Sequence, residues 1–515
     1  MADLLELGTQ FGITPLLIFC LCFLITMILV QSRRIKTYAN LPPRGPREWP
    51  VVGSLPSLAG SDEPHVVLTK MAKKHGPIFS MRLGSFYTVV ISDFELIRQA
   101  FAKSGDDFSD RPEITLVKYI AEGKGLVASY FGPKQTEQRR FSLSALRSLG
   151  MGKFRMEETI AEEARHLVAS FVSRKSQAFV PFHDIAVSVS NVICGLNFGK
   201  RFDYDDEVFK GVLEALFGII EMTEISGVIN FLPFLRFLPG SGMEKILKYK
   251  TTFDRYVHSS VQKISSEYTS GIASCFVHMY VDQMREAEKE KPGEHFFSEE
   301  NLLKAVGDLF IAGTETTSST LRWCLLYMLS NLEVQKRVQM ELDEQVGRDR
   351  MPSLLDRKRL PYTESTLLEI QRITSIAPFG VPHAPIKDAV LGGYDIPKGT
   401  VIIPNIWAVH HEPSLWENPD QFNPERFLDK ETNKVRLRDE LIPFCVGRRK
   451  CIGEQLAKVE LFLFFTHLLH RFHFRLPEGS PPPTMKARSH TTLSPFEYHV
   501  CAIPRNDGNG ILLAS

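Results

Sequence analysis

The order of apolar and polar positions divides the chain into segments of different kinds. Phe11–Val30, FGITPLLIFCLCFLITMILV, carries no charge over 20 residues, about the length a helix needs to cross the hydrocarbon core of a bilayer. Asp3 and Glu6 precede it and QSRRIK follows, the reverse of the basic start of a cleaved signal peptide. Positive charges stay on the cytosolic side, so Arg33, Arg34 and Lys36 put the N-terminus in the lumen. Residues 1–36 are read as a retained single-pass anchor. Residues 37–55 contain LPPRGPREWPVVG, whose four prolines forbid a continuing helix and favour a stiff extended spacer. PIFSMRLGSFYTVVISD, Pro77–Asp93, alternates around Gly-Ser and predicts a hairpin. To about residue 375 the period is mostly helical, and strand signals return at Ala389–Asn405 and near the C-terminus. The pattern predicts a mainly α body with a smaller β region over 56–505, and a short tail at 506–515.

Composition narrows the function. At 43% hydrophobic the 515 residues supply a large core, and a net charge of +1 gives no overall field toward nucleic acid. The eight cysteines are irregularly spaced, so no disulfide framework is expected. GKGLVA, Gly123–Ala128, matches a dinucleotide-binding pattern but lacks a preceding strand. The chain is therefore not expected to bind NADPH itself.

The chemistry concentrates in FCVGRRKCIGEQLA, Phe444–Ala457. A lone cysteine is usually a small buried hydrophobe, and Cys445 with Cys451 also has the look of half a zinc site, although no second pair with suitable spacing completes it. Cys451 stands just before a strongly helical run, where unpaired N–H groups and the helix dipole favour a thiolate. Arg448, Arg449 and Lys450 add positive potential, Gly447 and Gly453 allow close backbone approach, and Phe444 is placed to stack. A thiolate on a loop facing a planar partner suits a haem iron. Cys445 lacks the helix that follows Cys451.

Phe444, Gly447, Arg449, Cys451 and Gly453 form F-x-x-G-x-R-x-C-x-G, which resembles the haem-binding loop of the cytochrome P450 monooxygenases. FSDRP, RRFSLS and DLFIAGTETTSSTLRW are similar to the microsomal second family, and the resemblance runs from about Leu41 to Arg505. It implies a triangular, mainly helical fold. In AGTETT, a glycine and several threonines in a helix would ordinarily be a packing notch with back-bonded hydroxyls. By resemblance, Ala312 and Gly313 let the helix pass over the iron, and Glu315 and Thr316 are the acid–alcohol pair that relays protons. The resemblance makes Glu369, Arg372 and Arg426 a buried triad locking the cysteine loop. It also makes Arg139, His383 and Arg449 partners of the haem propionates. Gln135 stands where the family usually has tryptophan. Ile114, Phe217, Phe310, Ala312, Thr316, Ile376, Val381 and Leu493 match regions lining family pockets, and their apolar character suits a lipophilic substrate.

The implied activity is insertion of one oxygen atom from O2 into a xenobiotic, steroid or fatty acid. Haem b is the implied cofactor. Electrons would come from NADPH through a membrane-bound flavoprotein reductase, with cytochrome b5 as a further donor. Lys134, Arg139, Arg140, Arg147, Arg448, Lys450 and Lys458 are candidates for a basic docking face. The catalytic body is expected on the cytosolic side of the endoplasmic reticulum membrane. FLPFLRFLPGSGM, Phe231–Met243, is apolar enough to dip into that bilayer. A haem-thiolate isomerase or dehydratase needing no reductase, and a non-catalytic haem-binding membrane protein, are the competing readings.

Overall fold

A computed structural model describes residue 18 and residues 38–505, apart from 61–62, 152–153, 223–226 and 270. The rest of the expected anchor and the tail at 506–515 lie outside the described residues. Among the described residues no helix is long and apolar enough to cross a membrane.

Four helices carry the site: α1 (Pro133–Ser148), α2 (Glu299–Ser330), α3 (Pro361–Thr374) and α4 (Glu454–Arg471). The longest is α2, 32 residues, started by Ser298, whose side chain accepts from the Asn301 amide. From Thr317 to Leu329 every residue is buried, as expected of a helix enclosed by its neighbours. Several of its hydroxyls bond back within the helix, Ser318 donating to Glu315 O and Thr320 to Thr316 O, while Thr317 donates to Glu460 of α4 at 3.3 Å. The helix Phe182–Phe198, α4 and the C-terminal strands pack around it. α3 is buried from Tyr362 to Thr374 except at Glu364, and the Glu341 carboxylate takes up the Tyr362 and Thr363 amides at its start.

The strands fall where alternation placed them. β1 (Ile78–Leu83) and β2 (Phe86–Ile91) form the expected antiparallel hairpin. β3 (Ala389–Leu391) pairs with β4 (Tyr394–Ile396), and β5 (Val401–Pro404) joins β2 in parallel. Near the C-terminus β6 (Phe472–Arg475) pairs with β9 (Cys501–Pro504), and β7 (Ala487–Ser489) with β8 (Leu493–Pro495). The proline-rich segment is bonded to this body: Ser80 N donates to Pro43 O and Gly45 N to Ser80 O.

GKGLVA forms turns, with Gly123 and Gly125 at φ +69° and +79°. The Leu126 and Val127 amides donate to Asp308 Oδ2 on α2 at 2.6 and 2.9 Å. A Cβ on Gly125 would collide with that oxygen. The glycines therefore bring two backbone donors onto a carboxylate of the chain itself, and this pins the loop to α2.

Burial pushes the Asp308 carboxyl up to about 6, against the two amide bonds. A carboxyl that protonates more readily folded than unfolded costs stability as pH rises toward its folded value. The contribution declines between about pH 4 and pH 6 and is flat above. Asp308→Asn keeps an acceptor for both amides. It should flatten the pH dependence of the urea midpoint over that window and raise stability at pH 7 by about 1–3 kcal/mol. An unchanged slope would contradict this account.

Candidate functional site

Cys451 lies two residues before Gly453, the N-cap of α4. Its amide donates to Phe444 O at 3.1 Å, closing the loop, and the residue is exposed. Cys445 is different: it sits at φ +58° and packs against the apolar layer of β1, β2 and β5. Gly447, at φ +84°, crosses a helical turn so closely that a Cβ would overlap the Phe101 carbonyl. A Cβ on Gly453 would stand 4.0 Å from Cys451 Sγ, so its absence keeps the space beside the sulfur open. The Phe444 ring is half-buried, with Lys458 Nζ 5.6 Å from its centroid. Burial pushes the Cys451 thiol up, while the Gly453 amide, Arg139 and Lys450 pull it down.

Behind the loop stands a group of cations. Arg449 is buried and donates to three carbonyls, Ser109 O, Ser129 O and Val127 O. Arg111, also buried, donates to Val127 O, Val381 O and Pro382 O. Arg139 of α1 reaches Lys450 O. Among the described residues no carboxylate is hydrogen-bonded to any of the three guanidinium groups. Burial and the neighbouring Arg139 hold Arg449 down to about 10, and burial and Arg449 lower Arg111. Two polar atoms nearby lack partners: Gln135 Nε2, one turn before Arg139 on α1, and Ser129 Oγ. Gln135 is only 3% exposed. Asp110 and Asp308 act on Arg449 only from a distance, and cations without a hydrogen-bonded carboxylate beside a buried amide donor without an acceptor fit a group bearing carboxylates.

His383 stacks on Phe101, with ring centroids 3.9 Å apart, and its Nδ1 is 2.8 Å from Phe108 O. A carbonyl only accepts, so Nδ1 carries the proton. Burial, Arg111 and Arg449 hold the ring neutral, which leaves Nε2 with a lone pair. A carboxylate at Nε2 would meet a donor only if the ring took up a second proton.

On α2, Ala312 is exposed and Thr316 half-buried, and the two share one helix face. Thr316 Oγ1 donates back to Ala312 O at 2.7 Å. Glu315 is buried, its Oε1 accepting from Ser319 at 2.9 Å and Thr492 at 2.7 Å. Burial pushes its carboxyl up. A cavity of about 310 Å³ opens beside it, lined also by Phe182, His183, Phe217, Arg322 and Arg488. Gly313 departs from its expected role, because a Cβ there would press on Ile193 of the neighbouring helix. Its job is close helix packing. Phe310 lies about 200° around the helix from Ala312, buried among Phe209, Phe253 and Tyr256. That places it in the core, away from the Ala312–Thr316 face. Phe217 lines the cavity beside Glu315. Ile376 O accepts from Leu493 N, which brings that pair together; Ile114 is buried and Val381 exposed.

Glu369, Arg372 and Arg426 meet as expected. Arg372 is bidentate to Glu369 at 2.7 and 2.8 Å, and Arg426 Nε lies 3.1 Å from Glu369 Oε1. Sequence reading missed Arg111, Ser129, Asp308 and Thr492 as neighbours of the site. Arg111 and Asp308 had a signal, their places in FSDRP and in DLFIAGTETTSSTLRW.

The comparisons with known proteins agree with this geometry. A family model of cytochrome P450 matches residues 43–502. Cytochrome P450 2U1 of Rattus norvegicus is 38% identical, covering 97% of this chain and 98% of that protein. Cytochrome P450 2U1 of Homo sapiens is 38% identical over 93% and 92% of the two chains. Cytochrome P450 2J2 of Homo sapiens is 37% identical over 95% and 96%. The match takes in every residue of the candidate site, and on that basis the chain belongs to the cytochrome P450 family.

Proposed function

We propose that the chain is a membrane-anchored monooxygenase that inserts one oxygen atom from O2 into a lipophilic organic molecule, a xenobiotic, steroid or fatty acid. The family supplies the coarser statement: a haem-thiolate enzyme using haem b, O2 and electrons from a reductase. The observation that carries the reading is the cysteine loop backed by cations and by Gln135 Nε2, a set of donors to which no carboxylate is hydrogen-bonded among the described residues. Bound haem would supply the iron at which O2 is activated. Cys451 Sγ would hold the metal, and a coordinating thiol is deprotonated outright, which removes the burial penalty. Arg139, Arg449, Gln135 and a protonated His383 would hold the carboxylates.

The Ala312–Thr316 face would form the opposite wall. Thr316 presents a hydroxyl there, back-bonded to Ala312 O. Glu315 points into the neighbouring cavity and is kept protonated more readily than an ordinary carboxyl. Water in that cavity can resupply it. Such a proton store supports oxygen activation over isomerisation, which consumes no protons.

Lipophilic supply is supported by an apolar patch in the segment expected to dip into the bilayer: Phe234, Phe237 and Leu238 are 55%, 75% and 54% exposed. A cleft of about 710 Å³ lined by Phe86, Pro233, Arg236 and Leu247 lies beside them. For reductase docking, Lys134, Arg140 and Arg147 are exposed on α1. Lys450 and Lys458 both pair with Glu454, and Arg448 pairs with Asp106. The face that steers an acidic partner is therefore centred on α1, with the lysines of the loop partly neutralised. Cytochrome b5 would use the same charge.

Two outcomes are expected. With the full chain, NADPH and reductase in vesicles, a lipophilic substrate should yield hydroxylated or epoxidised product. Glu315→Gln should lower product per NADPH by about tenfold or more, the electrons leaving as hydrogen peroxide. Full coupling in that variant, or turnover independent of reductase, would contradict the reading. Gln135→Trp should slow haem loss to a scavenger about two- to tenfold, the worth of a better-filled hydrogen-bonding site. Unchanged loss rates would remove Gln135 from the carboxylate contact.

A further inference from the structure

The triad is bonded less directly to the cysteine loop than its expected role requires. Arg426 donates to Glu417 O, Asn418 O and Gln421 O, and Glu369 accepts from Asn423 N. Arg372 Nη1 donates to His410 O at 2.7 Å. Among the described residues, none of the triad's hydrogen bonds ends on residues 442–453. The connection passes through one imidazole.

His410 Nε2 lies 2.9 Å from the Ile442 amide and Nδ1 lies 2.7 Å from Ser375 Oγ. A backbone amide only donates, so Nε2 is the acceptor and the ring proton is on Nδ1. Ser375 Oγ therefore accepts from Nδ1, and its own proton goes to Arg372 O at 2.7 Å. Every donor in this chain has one acceptor, and only one tautomer satisfies it. Arg372, Ser375, His410 and Ile442 are all buried, so no water replaces a lost bond cheaply. Burial, His411 and Arg372 keep the ring neutral, as the acceptor role demands. Beyond Ile442 the bonds continue: Cys445 N donates to Ile442 O, and Cys451 N to Phe444 O.

We propose that His410 is the positioning residue that transmits the triad's rigidity to the haem-ligand loop, by accepting the Ile442 amide at Nε2 in a tautomer fixed by Ser375. The inference rests on Cys451 being the haem ligand. It assigns His410 no contact with substrate or haem.

The acceptor is testable by placing it in different positions. Glutamine carries an oxygen near the position of Nε2, asparagine carries its amide near Nδ1, and leucine carries neither. The full-length holoprotein is reduced under carbon monoxide, and the decay of its thiolate-type Soret band is followed together with its reduction potential and thermal midpoint. His410→Gln should decay within about threefold of wild type, while His410→Asn and His410→Leu should decay about tenfold faster or more, the effect of a buried amide left unpaired. Should Asn and Leu fail to accumulate as holoprotein, Ser375→Ala takes their place. That variant frees the tautomer and should speed decay several-fold. Decay in Asn, Leu or Ser375→Ala equal to wild type would overturn the proposal. Decay in Gln as fast as in Leu, at matched thermal midpoint, would overturn it too, since the ring would then be filling space. If wild type itself shows no thiolate-type band, the ligand assignment fails, a result distinct from these.

Discussion

Arg111, Arg139 and Arg449 stand together with their guanidinium groups bonded to backbone carbonyls and, among the described residues, to no carboxylate. Burying cations in this way is costly unless a partner of opposite charge completes the site. Much of the surrounding structure serves to hold them in place. The Val127 carbonyl accepts from both Arg111 and Arg449, while the amides of Leu126 and Val127 are fixed by Asp308. One short loop thus joins the cysteine loop, through Arg449, to the central helix, through Asp308. The two walls of the proposed haem site are set relative to each other by that chain of bonds.

The opposite side of the cysteine loop is held from α3. The triad fixes the segment 417–426 and the carbonyl of His410, and the imidazole carries that order to Ile442. Gly447 adds a steric requirement, since any side chain there would displace the loop from Phe101. Cys451 is therefore accessible yet anchored on both flanks. A metal ligand needs that combination, because its distance to the metal must not vary with thermal motion of the loop.

Local chemistry made some of this legible in the sequence. The loop motif, the β1–β2 hairpin and the Glu369–Arg372 pair are short-range patterns, and each lies where its residues indicated. GKGLVA lacks the flanking strand of a nucleotide site in the sequence, and in the structure Gly125 makes room for the Asp308 carboxylate. Contacts that close over long sequence distances left no such trace. Thr492 meets Glu315 across 177 residues and His410 meets Ile442 across 32. Asp308 has its place in DLFIAGTETTSSTLRW, but that motif does not show its bonds to Leu126 and Val127. Phe310 is carried over by resemblance as a pocket residue, whereas helical phase turns its ring into the core among Phe209, Phe253 and Tyr256.

The central claim is that Cys451 binds haem iron as a thiolate. The carbon monoxide difference spectrum of the dithionite-reduced protein, with Cys451→His alongside, tests it most directly. The account predicts a strongly red-shifted Soret band in wild type that is lost in the variant. A wild-type band typical of imidazole or neutral-thiol ligation, or a red-shifted band that survives in Cys451→His, would contradict it.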